Sequence, residues 1–173
     1  MKFRTRWAWI GLPLIVTQLA MPAYADTSKD IQVAGRALSF LENGPTGHVV
    51  IGVVFDPSKA ASVAQKDAVM AALGSGLDAG SLTLTGKPME AGAISGGVAA
   101  LYLTSGVNFA AAASAAKAHK LITISADNAC VTSGDCVMGV STTPKVEIKV
   151  NRAAAAAIGV SFKSAFRMMI TEI

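Results

Sequence analysis

The stretch "HVVIGVVF", residues 48–55, constrains this chain more than any other. After His48 it is a run of β-branched and apolar residues with no polar position to face water. Such a run suits a strand buried on both faces, as in a parallel sheet. Parallel strands need crossovers, and the next segment supplies one. "DPSKAASVAQKDAVMAALGSG" reads as a helix, with Asp56 or Ser58 as cap, Pro57 in the first turn, and Gly74 and Gly76 as stops. Val63, Val69, Met70 and Leu73 populate its apolar side.

The alternation continues. "SLTLT" (81–85), "VAALYLT" (98–104) and "LITIS" (121–125) read as strands, with a short helical crossover before the second of these and "NFAAAASAAKAHK" (108–120) as a helix before the third. This rhythm predicts an α/β fold with right-handed crossovers. Beyond Ser125 it changes. "CVMGVST" and "KVEIKV" read as an antiparallel pair, with "EIKV" as an edge strand. "NRAAAAAIG" is a short helix capped by Asn151 and ended by Gly159, and the tail "SFKSAFRMMITEI" reads as a terminal helix capped by Ser161. The expected architecture is one compact α/β domain: a mostly parallel central sheet flanked by helices, with a C-terminal antiparallel strand pair. The tail's apolar stripe of Phe162, Phe166, Met169 and Ile173 is expected to dock on the sheet. Phe162, Phe166 and Met169 are also the candidate partner surface.

The first residues address the compartment. "MKFRTR" is basic, "WAWIGLPLIVTQLA" (7–20) is apolar, and Ala23 and Ala25 occupy the small-residue positions of a cleavage site. This is the pattern of a secretory signal peptide, residues 1–25, cleaved after Ala25. The apolar run is 14 residues long and interrupted by Pro13, whereas a spanning helix needs roughly 20 residues. The expected mature domain is residues 26–173, with a polar, frayed start over Asp26–Asp30 and a periplasmic location. Three of the 15 Lys and Arg lie in the leader and none of the 11 acids do, so the remainder carries 12 against 11. That balance gives no basic patch for nucleic acid or anionic lipid.

Chemistry is sparse. His48 and His119 lack the clustered partners of a metal site. No nucleophile elbow, Walker loop or dinucleotide fingerprint is present. Asp127, Asp135 and Glu90 are loop acids, and Ser125, His119 and Asp127 are the nearest approach to a catalytic set. The reading is a protein without catalytic residues, metal or cofactor. The two cysteines, Cys130 and Cys136, have five residues between them. That spacing is not a thioredoxin-like C-x-x-C, and two thiols without histidines fall short of a zinc shell. In an oxidising space an even pair reads as a structural disulfide, with a redox-sensing bridge as the alternative.

The order of features in "LITISADNACVTSGDCVMGVSTTPKVEIKVNRAAAAAIGVSFKSAFRMMI" is similar to that of the YfiR/HmsC family of exported regulators. "HVVIGVVFDP", "GKPME" and "VAALYLTSG" stand upstream in matching order, so the resemblance covers about residues 33–173. It implies a compact α/β domain without catalysis, often a homodimer. The expected role is a periplasmic repressor that binds a membrane-bound diguanylate cyclase and lowers cyclic-di-GMP output, with an outer-membrane lipoprotein able to sequester it. Cys130 and Cys136 match the family's C-terminal disulfide, and Asn151 its polar residue after the last strand. The chain keeps Phe40 and Pro45 but lacks the family's usual Trp and a second, upstream disulfide. The alternative function is a periplasmic small-ligand-binding module resembling one lobe of a solute-binding protein, since α/β sheets take ligands at the carboxyl ends of their strands.

Overall fold

The computed structural model describes residues 24–173, so residues 1–23 of the expected signal segment lie outside the described residues. In chain order the elements are α1 (Tyr24–Leu38), β1 (Gly47–Phe55), α2 (Ala60–Leu73), β2 (Leu77–Ala79), β3 (Leu82–Glu90), β4 (Ala100–Leu103), α3 (Phe109–Ala118), β5 (Ile122–Ser125), α4 (Asn128–Thr132), β6 (Met138–Ser141), β7 (Glu147–Val150), α5 (Arg152–Ala157), α6 (Ser164–Arg167) and β8 (Thr171–Glu172). No helix among the described residues is long and apolar enough to cross a membrane.

The eight strands form one sheet in the order β2-β3-β1-β4-β5-β6-β7-β8. β1 pairs in parallel with β3 on one side and β4 on the other, and β4–β5 and β5–β6 are also parallel. The β1 run is buried on both faces only over its carboxyl half: Ile51, Val53 and Val54 are inaccessible or nearly so, whereas Val50 is 38 % exposed, because β4 flanks β1 only from Ile51 onward. Among the five parallel strands the order is second-first-third-fourth-fifth. The chain therefore reverses its direction of travel between β1 and β4. Helices α1 and α2 pack on one face through Ile31, Leu38, Val69 and Leu73, while α3 and α4 cover the other through Ala112, Ala116, Cys130 and Val131. Opposite directions of travel with right-handed crossovers place helices on opposite faces.

The expected antiparallel excursion is β6 and β7, paired Met138 to Val150 through Ser141 to Glu147. Several details differ from expectation. The supposed frayed start is part of α1, and Ala25 lies in its first turn. Ile31, Ala34 and Leu38 repeat at helical spacing and are buried, which rewards helix formation. No helix links β3 to β4. The glycines at 92, 96 and 97 favour an irregular crossover over a helix, and Ile94 and Val98 pack beneath it. The cap of α2 is Lys59, without a side-chain cap bond, because Asp56 turns back on Ser58 and the helix starts only at Ala60. "EIKV" is not an edge, since β8 adds to β7 in parallel.

The tail is one helical turn and a strand rather than a helix. α6 begins after Lys163, not Ser161, and β8 is tied back by Ile173 N–H donating to Val150 O at 2.9 Å and Arg152 N–H to Ile173 O at 3.0 Å. Arg167 grips Glu172 in a two-pronged ion pair at 2.7 and 3.1 Å. Phe40, Phe162 and Phe166 stack, with centroids 4.9 and 5.3 Å apart. That contact removes Phe162 and Phe166 from the candidate partner surface, because both rings are buried in the core. Met169 is 65 % exposed, beside Met168 at 89 %.

Two measurements test this packing. A methyl at Gly35 would collide with the Leu84 side chain and lie 2.7 Å from Ala79 Cβ. Gly35→Ala is therefore expected to lose about 1–3 kcal/mol through overpacking, read from the urea midpoint. Cys130 and Cys136 are bonded, with Cα atoms 5.1 Å apart. Closing so short a loop restricts the unfolded chain by roughly 2 kcal/mol, so the double Cys→Ala variant is expected to unfold at lower urea by about that amount.

Candidate ligand-binding edge

β1 and β4 stay paired to their carboxyl ends, Val54 opposite Leu103, and the strand order reverses between them, so the loops that follow leave in different directions. In open α/β sheets such a switch point forms a crevice where ligands bind. Here hydroxyls and amides, rather than buried charges, build its floor. Ser62 on α2 and Thr104 after β4 are both fully buried, with their hydroxyl oxygens 2.6 Å apart. Thr104 Oγ1 donates to Val54 O at 2.9 Å, so its single proton is used. Ser62 must therefore donate to Thr104, and it accepts from Asp56 N–H at 2.9 Å. One hydroxyl relay thus ties the end of β1, the start of α2 and the end of β4.

Above the relay sits the loop Asp56–Lys59. Asp56 Oδ1 accepts from Ser58 N–H at 2.9 Å and Ser58 Oγ–H at 2.6 Å. These bonds, with Lys59 adding its charge, hold the Asp56 carboxyl below its ordinary range. Lys59 Nζ lies 3.5 Å from Asp56 Oδ2 and donates across the crevice to Gly106 O. Gly106 has φ +84°, a left-handed conformation that suits glycine. Gln65 joins the same two sides: its Oε1 accepts from Ser105 N–H at 2.5 Å and its Nε2 donates to Tyr102 OH at 3.4 Å. Tyr102 is buried. Desolvation first, then the nearby Asp30 charge, push its phenol up, so it remains a neutral hydrogen-bonding group.

The edge extends over β5 and β6. Ser125 Oγ donates to Leu103 O at 2.9 Å and accepts from Asp127 N–H at 3.1 Å, while Asp127 caps α4 through Ala129 N–H at 2.9 Å. Just past β6, Thr142 buries its hydroxyl oxygen without a hydrogen-bond partner among the described residues. Burying an unpaired polar atom costs free energy, and a polar group arriving at this edge would relieve that cost.

Ser125, His119 and Asp127 do not come together. Ser125 and Asp127 stand at the carboxyl end of β5, whereas His119 is the C-cap of α3, before the strand's amino end. Asp135 precedes β6 at the amino edge, and Glu90 ends β3, separated from β5 by β1 and β4. The three acids therefore belong to different places. His48 lies at the exposed start of β1. No group of three or more metal-ligating side chains occurs among the described residues. Residue-type scanning passed over Ser62, Gln65 and Thr104, because a hydroxyl or amide in a helix or strand carries no motif. The usable signal was position: each lies at or within about two helical turns of a strand's carboxyl end.

No family model and no curated protein matches this sequence. Its fold is similar to those of several solved structures. A ligand-free, open substrate-binding protein with adhesive properties from Clostridium difficile aligns with a TM-score of 0.62 at 14 % identity, over 86 % of this chain and 59 % of its own. A conserved domain protein from Vibrio cholerae O1 biovar El Tor gives 0.61 at 14 %, over 84 % and 59 %. An ABC domain from Streptococcus pneumonia, solved with L-Trp, gives 0.58 at 11 %, over 85 % and 60 %. The chain thus spans about three-fifths of the length of each of these neighbours.

The hydroxyl relay is testable by removal. Ser62→Ala leaves Asp56 N–H without its acceptor and Thr104 Oγ1 without its donor, and is expected to cost about 1–3 kcal/mol. Thr104→Val should add less in that background than alone, because the two share one chain of bonds. Urea unfolding of the double-mutant cycle reads both. The Asp56 turn has a defined pH sense. A depressed folded-state pKa contributes stability above the ordinary value of 3.8 and loses it as pH falls through the lower folded value. The Ser58 amide NMR shift should therefore titrate with a midpoint below 3.8.

Proposed function

We propose that this chain is an exported, non-catalytic binding module, built like one lobe of a solute-binding protein, which takes a small polar ligand at the carboxyl edge above β1 and β4. The carrying observation is the switch point between β1 and β4, where Lys59 and Ser105 flank a saturated hydroxyl relay. A saturated floor is rigid and uncharged, so selectivity would come from the rim. The likeness in fold to substrate-binding proteins supports this reading, as does a disulfide suited to an oxidising periplasm.

A thermal-shift screen against amino acids, short peptides, sugars and nucleobases tests it. One class is expected to raise Tm saturably, and a ligand at 100 times its Kd adds about 2.7 kcal/mol. Lys59→Met should abolish that shift without lowering the Tm of the free protein by more than a few degrees. No stabilising compound in any class would overturn the proposal.

A second reading is the YfiR/HmsC-like regulator, a periplasmic repressor of a membrane-bound diguanylate cyclase. What favours a protein partner is the pair of exposed methionines, Met168 at 89 % and Met169 at 65 %. Large exposed apolar side chains in a cluster mark interaction surfaces. A membrane pull-down with wild type and Met168→Ser/Met169→Ser protein separates the readings. Recovery of a cyclase by wild type alone favours the regulator.

A further inference from the structure

Sulfur occurs in two chemical states in this fold. Both cysteines are joined as Cys130–Cys136, and no free thiol is present among the described residues. Exposed thiolates are ordinarily the first protein groups to meet an oxidant. Without them, the thioethers of methionine are the oxidisable sulfur that remains. Five methionines lie among the described residues: Met70, Met89, Met138, Met168 and Met169. Access to the sulfur decides which of them reacts.

Three of the five are shielded. Met138 on β6 and Met89 on β3 are buried, and Met70 on α2 is packed against the main core. A Cβ built on Gly52 would lie 2.9 Å from Met89 Sδ, and one built on Gly86 would lie 2.7 Å from Met70 Sδ. These two sulfurs therefore rest against the glycine backbone of β1 and β3, in space that a side chain would otherwise claim. An oxygen atom added to either one has no room in the packed core.

Met168 and Met169 are the opposite case. They stand side by side between α6 and β8, 89 % and 65 % exposed. The structure beneath them is held without their side chains. Met169 N–H donates to Phe166 O at 2.9 Å, and the Phe166 ring is stacked on Phe40. β8 is fixed by Ile173 N–H on Val150 O and by the Arg167–Glu172 pair. Oxygen on these two sulfurs meets water rather than the core.

We propose that Met168–Met169 is a reversible oxidation site for hydrogen peroxide. In each reaction the sulfur lone pair attacks one peroxide oxygen. An S–O bond forms, the O–O bond breaks, and the other oxygen leaves as water with both protons. Sulfur loses two electrons and peroxide gains them. The product sulfoxide is polar, so an apolar patch becomes a hydrogen-bond-accepting one while the fold persists. A partner that grips the patch through its thioethers would lose them on oxidation. The chemistry depends on exposure and on neither binding reading.

Timed exposure of the folded chain to hydrogen peroxide, with peptide mass mapping, tests it. One oxygen is expected on each of Met168 and Met169 before any on Met70, Met89 or Met138, with the urea midpoint unchanged. Methionine sulfoxide reductases A and B together should remove both oxygens, since each enzyme takes one sulfoxide epimer. In guanidinium chloride the preference should vanish and all five methionines should react alike. Oxidation of the three shielded methionines as fast as of Met168 and Met169 in the folded chain would overturn the proposal. So would the same order of reaction in folded and unfolded protein, a lowered urea midpoint once both are oxidised, or sulfoxides that the reductases leave in place.

Discussion

The parallel pairing of β1 on both of its sides is the constraint on which the rest depends. Over Ile51–Val54, where β3 and β4 flank it in parallel, β1 has a neighbouring strand on each side for its backbone donors and acceptors. Its side chains then meet protein on both faces, which only an apolar run satisfies. Parallel neighbours cannot be joined by tight turns, so each connection must cross a face of the sheet. Because β3 lies to one side of β1 and β4 to the other, the crossovers diverge at β1. The switch point at its carboxyl end is a consequence of that divergence.

That switch point is held by groups which are neutral at working pH. Ser62 and Thr104 are fully buried, and two charges there would carry a desolvation cost several times larger than a hydroxyl pair. Charge is confined to the rim, where Lys59 and Asp56 remain in contact with water. The amino edge follows a different chemistry. There α3 and α5 leave a groove walled by alanine methyls, and the disulfide loop supplies rigidity that side-chain packing does not. One sheet therefore carries a polar edge and an apolar edge, each stiffened by a different device.

Much of the parallel core was legible from residues alone. The run at 48–55, the helix ending at Gly74, the alanine helix at 108–120 and the antiparallel β6–β7 pair all follow from period, propensity and caps. Asn151 capping α5 was legible for the same local reason. The Cys130–Cys136 bond followed from parity and compartment. The tail was misread because Phe162, Phe166 and Met169 fit a helical stripe equally well as one turn followed by a strand. Periodicity over so few residues does not separate the two. Hydrogen bonds from Ile173 and Arg152, both nonlocal, decided in favour of β8. α1 was obscured because its polar first turn resembles a frayed end, and its apolar face has meaning only against Leu84 and Ala79.

By itself the sequence determined the class of fold, the burial of β1 and the sites of chain reversal, because these rest on local backbone preference and on transfer of apolar side chains from water. Tertiary structure alone decided that Ser62 meets Thr104 and Gln65 meets Ser105, that Phe162 and Phe166 are core rather than surface, and that two alanine helices leave a groove. Each of these depends on residues about 40 or more positions apart being brought within a few ångströms by strand order. Strand order is a global outcome of competing pairings, and no local pattern encodes it.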